Sequence, residues 1–156
     1  MQDLPVRKDI RLKDYDYSAA GAYFITMYVK DGHELLSEVV GAISNRPRIE
    51  LSKIGKIAEV ALFKLDETIE IDKYAIMPNH IHMIVRVQDS GRTEFAPTIS
   101  SIIRFYKSCV TKQIGYSIWQ KSFHDHIIRD EAEYYRIAQY IDQNPARWAE
   151  DRYYKK

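Results

Sequence analysis

The chain has 156 residues, 46% of them apolar and 29% charged, and carries a formal net charge of +1. This is the size and composition of one globular domain able to bury a core, and no apolar run approaches the roughly 18 residues that a membrane span needs. The start, MQDLPVRKDIRLKDYDYS, has no continuous apolar signal region, and Cys109 is the single cysteine, so an intrachain disulfide is excluded and a cytoplasmic location is expected. Charge is uneven along the chain. Arg7, Lys8, Arg11 and Lys13 gather in a basic N-terminal arm, residues 1–18, and Arg104, Lys107, Lys112, Lys121 and Arg129 dominate residues 99–129. Solvated surface faces account for both stretches as readily as contact with nucleic acid does.

The run AYFITMYV, residues 22–29, is rich in β-branched and aromatic side chains and reads as a strand opened by Gly21. Residues 51–68 place Ile54, Ile57, Val60, Ala61 and the aliphatic stem of Lys64 at helical spacing behind a Ser52 cap. Residues 69–79 and 80–87 read as a strand pair turned by Pro78 and Asn79. Residues 98–115 read as a helix from a Thr98 cap to Gly115, with Ile102, Phe105 and Cys109 on one stripe. A fourth strand is predicted over 121–129, then a helix over 130–144 that opens on Asp130 with Glu131 and Glu133 in its first turn and stops or kinks at Pro145. The resulting order of elements is that of an α+β, ferredoxin-like (RRM-like) sandwich, with an antiparallel sheet, helices packed on one face and a further C-terminal helix. The prediction is a single domain spanning residues 1–156.

His80 and His82 lie one residue apart in IMPNHIHMIV, so on a strand both project to one face while Ile81 and Met83 point into the core. Five histidines placed at random give about 0.1 pairs at this spacing. The chain has two such pairs, the second being His124 and His126. In ferredoxin-like strand order the two pairs stand about 10 Å apart across the sheet, too far for one ion to bridge. His80 and His82 are therefore the candidate metal ligands, and His124 and His126 are left as supporting, substrate-contacting or structural residues.

These segments resemble the single-tyrosine HUH transposases of insertion-sequence type, above all the REP-associated tyrosine transposases. The matching pieces are LKDYDYSAAGAYFIT, MPNHIHMIV, SIIRFYKSCVTKQI, IWQKSFHDHIIRD and YYRIAQYIDQNPARW, in family order over nearly the whole chain. The resemblance implies a bacterial, metal-dependent endonuclease and strand transferase. It implies a homodimer acting on single-stranded, usually hairpin-bearing DNA, through a 5′-phosphotyrosine intermediate, with Mg²⁺ or Mn²⁺ held by the two histidines. A location on the nucleoid when bound to DNA goes with it. Such a pairing is chemically sensible, because a phenol of pKa about 10 is a poor nucleophile unless a cation polarises the phosphate it attacks.

Of twelve tyrosines, the family motif points to Tyr140 as nucleophile and Asn144 as third metal ligand. Positions i and i+4 share a helix face, which lets one helix present both to one phosphate. Gln143 is the alternative ligand, since the residue before a proline is biased away from helical geometry. Tyr134, Tyr135 and Tyr106 are the rival tyrosines. Arg7, Lys8, Arg11, Arg104, Tyr106, Lys107 and Lys112, with Lys13, are the candidate DNA contacts, while Trp119 and Arg129 could serve packing or DNA. Two other activities fit parts of the pattern: a non-catalytic single-strand binder on an RNA-recognition-type sheet, and a small phosphohydrolase using a metal-bound water.

Overall fold

The computed structural model describes residues 21–41, 47–65, 69–87 and 98–150. The N-terminal arm, with Arg7, Lys8, Arg11 and Lys13, lies outside the described residues. Four strands form one antiparallel sheet: β1 (Gly21–Val29), β4 (Glu70–Met77), β5 (His80–Val87) and β6 (Trp119–Ile128), in the order β4-β5-β1-β6. This is the ferredoxin-like order expected from the sequence. Burial explains which strands are central: β1 and β5 bury nearly every position on both faces, whereas β6 exposes Gln120, Lys121 and Ser122 in a row near its start.

One face of the sheet carries Tyr23, Ile25, Met27 and Val29 beside Ile81, Met83, Val85 and Val87. Helices α1 (Lys53–Leu65) and α2 (Ile99–Ile114) cover it. Their buried stripes are Gly55, Ala58, Ala61, Leu62 and Leu65 on α1, and Ile99, Ile102, Ile103, Tyr106 and Val110 on α2. Both differ from the stripes read in the sequence. Val60 and Phe105 are 53% and 62% exposed, because the small residues Gly55, Ala58 and Ala61, rather than the β-branched ones, set the side of α1 that approaches the sheet, and the Tyr106 ring takes the inner place on α2. Caps fall where predicted. Gly55 N–H donates to Ser52 Oγ at 3.0 Å, Thr98 and Ser101 form a reciprocal capping box, and Gly115 takes a left-handed φ of 97°.

A short hairpin of β2 (Ser37–Val40) and β3 (Arg48–Leu51) packs beside β4 and was not anticipated from the sequence. Ser37 Oγ donates to the Ile76 carbonyl at 2.8 Å, and Leu36 N–H to the Pro78 carbonyl at 3.0 Å. Val29 N–H donates to the Asn79 carbonyl at 3.0 Å, so the turn that delivers His80 is clamped from two sides. The Leu36 carbonyl, which accepts from Ser52 N–H at 2.9 Å, leaves no room above Gly55: a Cβ there would fall inside the oxygen's van der Waals radius. Gly55→Ala is accordingly expected to destabilise the fold by about 3 kcal/mol, read as a lower denaturant midpoint at unchanged slope.

The last helix, α3 (Glu131–Gln143), crosses the opposite face of the sheet, burying Ile137, Ala138 and Ile141 against Phe24 and Ile84. Asp130 Oδ1 caps it by accepting from Glu133 N–H at 2.8 Å. Among the described residues no helix is long and apolar enough to cross a membrane.

Candidate functional site

Strand register assembles the site. On the α3 face, Tyr28 of β1 stands opposite His80, Thr26 opposite both His82 and His124, and Phe24 opposite both Ile84 and His126. The two histidine pairs therefore flank β1 as expected, one on each side.

His80 and His82 are fully buried, with rings 4.4 Å apart and Nε2 atoms 3.1 Å apart. His80 Nδ1 lies 2.7 Å from Asn79 Oδ1, an acceptor, so Nδ1 carries the proton and Nε2 presents a lone pair. His82 Nδ1 lies 2.8 Å from Thr26 Oγ1. If the hydroxyl donates, His82 Nε2–H bonds to His80 Nε2. If it accepts, both Nε2 lone pairs converge. The second arrangement needs a cation between them, and passing from the first to the second rotates the hydroxyl and moves the His82 proton from Nε2 to Nδ1. Burial holds the His80 pKa down to about 3 against a smaller opposing effect of the Asn144 amide, so the ring stays neutral and able to ligate through the physiological range.

The two Nε2 atoms are close enough to be neighbouring ligands of one cation. Cis ligands on Mg²⁺ or Mn²⁺ stand about 3 Å apart, which is the spacing of the two Nε2 atoms. Asn144 offers a third donor: it is 3% exposed, its Nδ2 donates to the Tyr140 carbonyl at 3.2 Å, and its Oδ1 is buried beside His80. Asn144 keeps helical angles, φ −54° and ψ −47°, in spite of Pro145, because its N–H shifts to the Ile141 carbonyl in a tighter turn. It, rather than the partly exposed Gln143, lies against His80. Among the described residues no three His, Cys, Asp or Glu side chains gather, so the described donors here are two imidazoles and an amide, all neutral.

Tyr140 is half-buried, its ring set edge-on to His82 at 5.3 Å and to Phe24 at 6.3 Å. The turn after α3 (Pro145–Glu150) lays Trp148 over His80, with ring centres 6.1 Å apart and planes 30° from parallel. Tyr140 thus lies against His82 and Trp148 against His80. The rival tyrosines stand elsewhere. Tyr134, near the far end of α3, donates to Asp72 Oδ2 at 2.8 Å under the Arg86 guanidinium, and Tyr135 is 61% exposed.

The DNA contacts expected on α2 need correction. Tyr106 is a core residue: 1% exposed, it donates to the Ala58 carbonyl at 2.8 Å and packs on Trp119, and burial raises its pKa. Trp119, at 4% exposed, is likewise a packing residue. Lys107 is taken up by the Gln120 and Ser122 carbonyls at 2.9 and 3.2 Å and lies over the Phe123 ring, burial lowering its pKa to about 8. Arg104 and Lys112 are exposed, but on the helical layer behind the sheet, away from the histidines. The sequence showed a basic helix without showing which side of the sheet it covers.

Thr26, Asn79 and Trp148 were missed as supports of the histidines. The available signal was the polar Thr26 inside an otherwise apolar β1. Removing the Thr26 hydroxyl while keeping its shape, Thr26→Val, takes away the oxygen that meets His82 Nδ1, and Mn²⁺ affinity is expected to fall about 10-fold in calorimetric titration.

No protein-family model matches the chain. An uncharacterized protein of Haemophilus influenzae is 30% identical over 172 aligned positions, covering 95% of this chain and 93% of that protein. Among solved structures, that of a REP-associated tyrosine transposase bound to a REP hairpin superposes with a TM-score of 0.66 at 22% identity, over 88% of this chain and 74% of that one. An identity that low speaks to fold. The chain belongs to the same family as the Haemophilus influenzae protein, and its fold is that of a REP-associated tyrosine transposase.

Proposed function

We propose that the protein is a transposase-type enzyme that cuts and rejoins single-stranded DNA through a 5′-phosphotyrosine link at Tyr140. The observation that carries this reading is the Tyr140 ring 5.3 Å from His82, whose Nε2 is 3.1 Å from that of His80. A nucleophile and a paired-imidazole cation site meet on one sheet face. His80, His82 and Asn144 would hold Mg²⁺ or Mn²⁺, which when bound withdraws charge from the phosphate and so makes a phenol an adequate nucleophile. Tyr140 is held by packing on Phe24 and His82, its helix seated by Ile137, Ala138 and Ile141. Forming the phosphotyrosine keeps the energy of the broken linkage for rejoining. A hairpin-bearing strand is the substrate that the REP-hairpin complex of the similar fold suggests, and a homodimer is the assembly that goes with this reading.

The sheet face that an RNA-recognition-type binder leaves open for base stacking is covered here by α3, and its aromatic residues Phe24 and Tyr28 are 6% and 7% exposed. That favours catalysis over passive binding. The test is incubation with hairpin-bearing single strands and Mn²⁺. A protein–DNA band that survives denaturation and disappears with chelator is expected. Free cleaved strands with no protein attached would instead identify a metal-dependent phosphohydrolase, and binding that persists in chelator without cleavage would identify a binding module.

A further inference from the structure

The geometry points to His124 as a second catalytic residue, an acid that gives a proton to the departing 3′ oxygen in cleavage and recovers it in joining. This rests on the strand-transfer reading above. His124 of β6 and His82 of β5 stand on opposite sides of Thr26 in β1, all three on the α3 face. Strand spacing puts their Cα atoms about 10 Å apart, too far to share an ion but within reach of the two sides of one phosphodiester. His124 is half-buried and so keeps access from solvent, whereas His82 is enclosed.

The ring is held for this task. Its Nδ1 hydrogen-bonds to Tyr28 Oη, and the two rings meet edge-on with centres 4.9 Å apart. Tyr28, 7% exposed, is a fixed support. With Nδ1–H donating to Tyr28 Oη, Nε2 is the position that gains and loses a proton. His126 differs. Its Nε2 lies 3.1 Å from Glu133 Oε2, and the residue stands opposite Phe24, in the row that packs on α3. Burial would raise the Glu133 pKa, but the Arg129 N–H and the neighbouring His126 and Arg136 bring it below the usual range, which marks that pair as a structural tie.

The chemistry requires a proton on the leaving side more than on the attacking side. Cleavage forms the Tyr140 Oη–P bond and breaks the P–O3′ bond, whose electron pair stays on O3′. An alkoxide is a far poorer leaving group than a phenolate, whose conjugate acid titrates near pH 10. The His124 imidazolium transfers its Nε2 proton to O3′, leaving neutral His124 still donating from Nδ1 to Tyr28. The phenolic proton of Tyr140 goes to solvent. In joining, neutral Nε2 takes the proton of the attacking 3′ hydroxyl, and phenolate departs.

A scissile linkage with bridging sulfur in place of O3′ provides the test, because a thiolate leaves without protonation. In Mn²⁺, His124→Ala is expected to slow adduct formation about 100-fold on the oxygen linkage and to come within about 3-fold of wild type on the sulfur linkage. Tyr28→Phe should show a smaller loss with the same rescue, and it carries the comparison if the alanine variant fails to fold. Equal losses on both linkages would overturn the assignment while leaving the nucleophile in place. A wild-type protein that forms no adduct on either linkage would remove the strand-transfer reading itself, and the role of His124 with it.

Discussion

Tyr140→Phe is expected to abolish covalent capture of DNA, lowering adduct yield by at least about 1000-fold while leaving fold and metal binding in place. The substitution removes one oxygen. The ring that packs on Phe24 and His82 remains, so a stability change of no more than about 1 kcal/mol is predicted, and the Nε2 pair and Asn144 are untouched. Separating nucleophile from scaffold needs a control on the same helix. Tyr134→Phe supplies it: that hydroxyl donates to Asp72, beside Arg86, and its loss costs a hydrogen bond without touching the histidines. Adduct formation close to wild type in Tyr134→Phe, together with none in Tyr140→Phe, is the expected pattern on denaturing gels with labelled DNA. A full-strength adduct in Tyr140→Phe would place the attacking oxygen on another residue and deprive the proposed chemistry of its centre.

The sequence was most informative where local chemistry and long-range packing agree. Strand β5 was legible to the residue because alternation is strict there: His80 and His82 face α3 while Ile81 and Met83 face the core. Helix α2 was legible in extent, from the Thr98 cap to Gly115, but not in orientation. Its tyrosine looked like a DNA contact because Arg104 and Lys107 flank it, yet helical spacing turns Tyr106 inward with Ile102, Ile103 and Val110. Lys107, basic in sequence, is used up by β6 carbonyls that no local pattern reveals. The β2–β3 hairpin escaped because each strand has four residues and draws its partners from β4, the turn before His80 and Ser52 rather than from a strong pattern of its own. The supports of the histidines were the least legible. Thr26 and His82 are 56 positions apart in the chain and meet through β1–β5 register, a property of the folded sheet.

His80→Ala and His82→Ala are each expected to lower Mn²⁺ affinity by more than about 100-fold and adduct formation in parallel. Each removes one of two nitrogens whose spacing matches cis ligands, and Asn144 with a single imidazole is a poor chelate. A further consequence follows from the absence of carboxylates among the described donors. Two imidazoles and an amide leave the charge of a dication unbalanced in a site that is itself buried, and an isolated buried charge is costly. On the proposed function, the DNA phosphate is the anion that compensates it. Metal and DNA should therefore bind weakly alone and strongly together, each raising the other's affinity by the same factor, as linkage requires. Calorimetric titration of Mn²⁺ into wild-type protein with and without an uncleavable hairpin strand measures that factor, and about 10-fold or more is expected. The same titration with His82→Ala should show no gain on adding DNA. Metal affinity that is tight without DNA, and unchanged by either histidine substitution, would place the cation elsewhere and leave the buried imidazoles as a structural pair.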